Sequence, residues 1–98
     1  MPKPSVGRIV QVTVDPKINN GSDVAPAVIT RVWSDTCVNL RVLHDNDPGN
    51  LPPGAEWLTS WPVHESREAL EEHRAARQAE LPEGQTVALH GAFWPPHV

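Results

Sequence analysis

The sequence predicts a mainly β protein, a small antiparallel barrel or strongly bent sheet of about five short strands with one late surface helix. Three observations predict it. Apolar residues alternate with other types at Val10, Val12 and Val14 and again at Val38, Leu40 and Val42, the period of strands buried on one face. Clusters of Pro, Gly, Asn, Asp and Ser separate these runs at short intervals. Only residues 65–80 combine good helix formers with an absence of Gly and Pro. A chain of 98 residues is short for a two-layer sandwich, and curling the sheet hides its edges.

The elements follow in order. Gly7–Val14 is the first strand, broken by Asp15-Pro16, since proline cannot donate to a ladder and restrains its predecessor. Asn19-Asn20-Gly21-Ser22-Asp23 forms a loop of residues that tolerate positive φ. Ala25–Trp33 is the second strand, with Pro26 near its start, and Thr36–Leu43 the third. The two-residue link Ser34-Asp35 makes these two a hairpin. His44–Pro53 is a turn-rich loop, and Glu56–Trp61 a short fourth strand stopped by Pro62. The helix over 65–80 carries its acids early and Arg74 and Arg77 late, as its dipole favours. Leu70 is its only large apolar residue before the end, so it lies on a surface. Gln85–Trp94 returns to strand character.

Composition bounds the function. The length suits one domain, residues 1–98, with one modest core and little volume for a deep catalytic pocket. The formal net charge is −4, with eight Lys and Arg among twelve acids, so nucleic acid is an unfavoured partner. No apolar run approaches the length of a membrane span and no secretory leader is visible, which predicts a cytoplasmic chain. The Asn20-Gly21-Ser22 sequon is then a chance match. A single cysteine, Cys37, leaves no internal disulfide and no multi-cysteine zinc pattern.

Several segments together carry a resemblance. Pro2-Lys3-Pro4-Ser5-Val6-Gly7-Arg8-Ile9-Val10 opens the chain, Pro26–Leu40 occupies its middle, Trp57-Leu58-Thr59-Ser60 follows, and Gly91-Ala92-Phe93-Trp94-Pro95-Pro96 lies near the end. This arrangement resembles a family of short uncharacterised proteins of tailed bacteriophages and prophages that run from "VGRIV" through "CVNLxVxxDG" and "WxTS" to "GTWHWPxR". Ala92-Phe93 departs from the usual Thr-Trp-His, and Pro62–Leu89, helix included, looks like an insertion. The resemblance covers about two-thirds of the chain. It implies an SH3-like barrel, of phage or prophage origin, and carries no activity with it.

Candidate sites are surfaces rather than reactive clusters. Four tryptophans stand beside no tyrosine and one phenylalanine. Two or three could line an aromatic groove for proline-rich segments, or they could pack a small core that aliphatic strands close poorly. Trp33 and Trp94 fit the packing role as plugs at the barrel ends. Trp57 and Trp61, four apart on a strand, are expected to share a face and to contact a partner. Trp94-Pro95-Pro96-His97-Val98 reads as a strap over an open edge or as a stiff ligand for a partner. Glu68, Glu71 and Glu72 form an acidic ridge, either a solvated face or a docking element for a basic partner.

Other motifs carry less. Asp45–Asn50 resembles a calcium loop, but Pro48 intrudes, Gly49 is fifth instead of sixth, and turn chemistry explains it. The histidines show no metal-binding spacing, and Cys37 reads as a buried, inert thiol. No catalytic residue, metal or cofactor is expected. The leading expectation is a non-enzymatic phage or prophage accessory protein that binds a host or phage protein, or itself as a homo-oligomer, in the host cytoplasm. The alternatives are a head or tail accessory subunit of the virion, a nucleic-acid-binding barrel, and an enzyme or a nucleotide-sequestering protein.

Overall fold

Five strands close into a barrel in the order β1-β2-β3-β4-β5. The computed structural model describes residues 2–86 and 91–96. The strands are β1 (Ile9–Thr13), β2 (Val24–Ser34), β3 (Cys37–Val42), β4 (Trp57–His64) and β5 (Ala92–Phe93), with helix α1 (Arg67–Ala79) between the last two. Neighbours pair antiparallel except β4 and β5, which run parallel. The expected small antiparallel barrel with one helix is thus present, and its one parallel pair has a simple reason. Strand directions that alternate around a closed ring of five must repeat once. The repeat falls where α1 carries the chain back, since a parallel pair needs a crossover and cannot be made by a hairpin.

The alternating valines and leucines point inward. Val10 and Val12, Ala25, Ala27 and Ile29, Val38, Leu40 and Val42, and Val63, Ala92 and Trp94 form the buried core. Burying a side chain of the Val or Leu class is worth about 1.5–3 kcal/mol, so ten aliphatic or alanine side chains and one indole can hold a domain this small. Asn19 is also buried. Its side chain donates to the Ser22 and Val24 carbonyls and accepts the Asp45 N–H at 2.7 Å, joining the loops at one end of the barrel.

Several boundaries differ from the sequence expectation. β4 does not stop at Pro62 but runs on to His64. The Val63 N–H donates to the Thr36 carbonyl, so the neighbouring Pro62 nitrogen faces away from β3, toward an edge where β5 pairs only from Val63 onward. A missing donor costs nothing there. The β2–β3 turn falls on Asp35-Thr36, one residue later than expected. The helix begins at Arg67, where the Ser66 hydroxyl caps the Ala69 N–H at 3.1 Å. The last strand is confined to Ala92–Phe93, Gln85 and Thr86 are not strand, and residues 87–90 of the expected run lie outside the described residues.

Helix α1 covers the outside of the β4–β5 seam. Leu70 is its one buried residue, and it packs over Gly91, where an added Cβ would lie 2.9 Å from Leu70 Cδ1. The Arg67 guanidinium ties the first turn to Asp23 at 2.8 Å and to Glu71 at 3.1 Å. That arginine holds the Asp23 carboxyl below its usual range. No helix among the described residues is long and apolar enough to cross a membrane.

Candidate recognition surface

Two bulges organise the open side of the barrel, and Asn39 lies between them. In β2, Ile29 pairs with Leu40 and Arg31 with Asn39, so Thr30 is an extra residue. In β4, Leu58 pairs with Leu40 and Trp61 with Val38, so Thr59 and Ser60 together oppose Asn39. Ser60 has φ 54°, a left-handed conformation that suits a bulge. The Asn39 side chain points outward but is only 8% exposed, because its oxygen accepts the Trp33 indole N–H at 2.9 Å, the Thr59 hydroxyl at 3.0 Å and the Ser60 N–H at 2.8 Å.

The bulge in β4 overturns one expectation. Strict alternation would put Trp57 and Trp61 on one face. The extra residue switches the parity between them: Trp57 pairs with outward Arg41 and is 50% exposed, while Trp61 pairs with inward Val38 and packs on the core. Trp33, expected as a plug, is 51% exposed. Its ring carries the Arg31 guanidinium at 4.0 Å, a cation–π contact, while its N–H is held by Asn39. Trp94, expected either as a plug or as part of a partner-binding strap, is 2% exposed and belongs to the core, with Arg8 lying 5.2 Å over its ring. Cys37, expected to be buried, is only half-buried at the start of β3.

An outward row crosses four strands through the pairs Ile9–Val28, Val28–Arg41 and Arg41–Trp57. At about 4.8 Å per strand it spans roughly 14 Å. Large apolar side chains left exposed among the described residues are Val6, Ile9, Trp33, Leu43 and Trp57. Four of them lie on this side of β1–β4 or just beyond its end, and Val6 precedes Gly7, whose N–H bonds to the Ile29 carbonyl. Arg31 and Arg41 stand among them. Neither arginine forms an ion pair with a described residue.

The acidic ridge is divided. Glu71 bonds to Arg67, whereas Glu68 and Glu72 are exposed and form no ion pair among the described residues. Glu68 also edges a groove of about 590 Å³ between the start of α1 and Phe93-Trp94-Pro95-Pro96, with Gln11 and Pro2 completing its wall. The terminal strap therefore lines a groove, as far as Pro96. Trp94 and Glu68 meet at this groove, and Trp57 belongs to the open face.

Sequence reasoning missed Arg31, Asn39 and Arg41 as parts of one surface. The outward phase of Asn39 and Arg41 in β3 was readable, but the bulges that bring Trp33 and Ser60 to Asn39 have no local signature. The histidines, scattered in sequence, are partly gathered, with the rings of His64 in β4 and His73 in α1 5.2 Å apart. No group of three His, Cys, Asp or Glu side chains among the described residues is placed to hold a metal ion. Comparison with protein-family models, curated proteins and solved structures finds no match.

Proposed function

We propose that this protein is a bacteriophage or prophage accessory protein that acts as a recognition module, docking a protein partner on the open outer side of β1–β4. One observation carries the reading: Ile9, Trp33, Leu43 and Trp57, each about half exposed, flank two arginines that form no ion pair with a described residue. Monomeric domains rarely leave large apolar residues clustered in this way, and Trp and Arg are the residue types that dominate binding hot spots. The surface is also preorganised. Asn39 fixes Trp33, and Trp33 in turn stacks on Arg31, so little side-chain entropy remains to be lost on docking.

The test is photocrosslinking from a benzoylphenylalanine that keeps an aromatic ring at position 57, compared with the same group at position 22 in the Asn19–Asp23 loop. The expected result is a discrete partner adduct from position 57 that disappears in Trp33→Ala. Equal labelling from both positions, or an adduct indifferent to Trp33, would sink the proposal. The Arg31–Trp33 stack also suits a nucleic-acid base, although the net charge of −4 opposes approach to a polyanion. A salt-sensitive gel shift lost in Arg31→Glu would assign the face to nucleic acid instead.

A further inference from the structure

We infer that the open face of one copy receives the outer stripe of helix α1 from a second copy, with Glu68 and Glu72 on Arg31 and Arg41, and Ala75 and Ala79 against Trp57. The inference rests on the recognition reading of that face and names its occupant.

The stripe is defined by the helix itself. Residues 68, 72, 75 and 79 are spaced four, three and four apart, so they line one row of the helix. That row lies opposite Leu70, the residue that faces the barrel. All four side chains are exposed. Arg67, Arg74 and Arg77 fall on the Leu70 side of the helix, so the outer row holds two carboxylates, two methyl groups and no cation. Two like charges at i and i+4 disfavour the isolated helix slightly, which a cationic surface would relieve.

The open face offers the complement. Arg31 pairs with Asn39, and Arg41 lies two residues along the same strand from Asn39, one strand over from Arg31. Two strand residues and one strand spacing separate their backbones by roughly 8 Å. Glu68 and Glu72 are separated by about 6 Å of helical rise. Long, flexible arginine and glutamate side chains bridge that difference. Alanine at 75 and 79 lets the helix backbone come close to an indole, where a larger residue would hold it away. Two acids border the face, Asp35 in the β2–β3 turn and half-buried Glu56 before Trp57, but neither pairs with Arg31 or Arg41.

Each copy carries both halves. If both contacts form reciprocally between two copies the assembly is a two-fold dimer; otherwise the contact is heterologous and gives a ring where its rotation closes and an open filament where it does not. The experiment is light scattering on the whole chain and two charge-reversed variants, R31E/R41E and E68K/E72K, each checked for fold by circular dichroism. Wild type should assemble at about 50 mM salt and dissociate toward monomer mass near 500 mM, where screening is short-ranged. Each variant alone should remain monomeric, because its face and stripe then share one sign, and an equimolar mixture should recover the assembled mass. A wild-type monomer at low salt that still crosslinks a different protein through position 57 overturns the second-copy occupant and leaves the recognition reading standing. Assembly that survives both R31E/R41E and W33A/W57A places the contact elsewhere and overturns the second-copy occupant. A monomer whose basic face retains single-stranded DNA, with retention lost in R31E/R41E, gives the face to nucleic acid and also overturns the inference.

Discussion

The indole N–H of Trp33 donates to the side-chain oxygen of Asn39 at 2.9 Å, and the same oxygen takes the Ser60 N–H at 2.8 Å from the other neighbouring strand. One acceptor thus joins β2 to β4 across β3 at the point where both are bulged. The outer side of β1–β4 owes its shape to this junction.

Replacing Asn39 should therefore cost stability and loosen Trp33 together. Asn39→Ala leaves the Ser60 N–H and the Thr59 hydroxyl without their acceptor, a loss of about 1–3 kcal/mol for a poorly solvated group. Urea denaturation should show a lower midpoint with an unchanged slope. Trp33 fluorescence should show greater mobility by anisotropy decay. Unchanged stability would mean that water replaces the asparagine without loss.

The two tryptophans of β4 should separate in their effects. Trp61 packs on the core, so Trp61→Ala removes buried aromatic area and should cost about 3 kcal/mol, the low end for a large-to-small core change. Trp57→Ala changes an exposed position and should stay within about 0.5 kcal/mol of wild type while weakening partner capture. Equal destabilisation by the two would return both residues to one face and remove the bulge at Ser60.

How much of this was legible depended on whether local pattern and tertiary context agreed. The inward residues Val10, Val12, Val38, Leu40 and Val42 follow from alternation alone, because nothing interrupts the pleat between the members of each set. The faces of Trp33, Trp57 and Trp61 depend on bulges at Thr30 and Ser60, and a single inserted residue reverses every later assignment. Pro62 looked like a stop because its unneeded donor direction is set by where β5 begins. Helix α1 was visible from composition, but its site on the β4–β5 seam depends on Gly91, which is distant in sequence.

Gly91 and Leu70 should behave as a coupled pair. Gly91→Ala places a methyl group 2.9 Å from Leu70 Cδ1 and 3.4 Å from His64 Cδ2, and Leu70 is itself buried. Overpacking of this kind costs about 1–3 kcal/mol. Leu70→Ala alone opens a cavity under the helix and is destabilising by about 2–5 kcal/mol. Combined, the two changes should cost clearly less than their sum, since the added methyl occupies space that the leucine vacates. Strict additivity in a denaturation cycle would show that α1 does not rest on Gly91.

The seat of α1 should also weaken in mild acid. His64 lies at the end of β4 facing Gly91 and Leu70, and its buried Nε2 has no hydrogen-bond partner among the described residues. Burial lowers its pKa from the ordinary value of 6.5, and the nearby His73 lowers it further. The unfolded chain therefore takes up a proton at higher pH than the folded one. The stability that follows from keeping His64 neutral is complete above about pH 6.5 and is lost as the pH falls through the unfolded value toward the folded one. Thermal melts from pH 7.5 to 5 should show a falling midpoint. His73→Ala, which removes the repelling neighbour, should flatten part of that slope, and His64→Phe should remove more of it. A slope that survives both substitutions would assign the acid sensitivity to other groups.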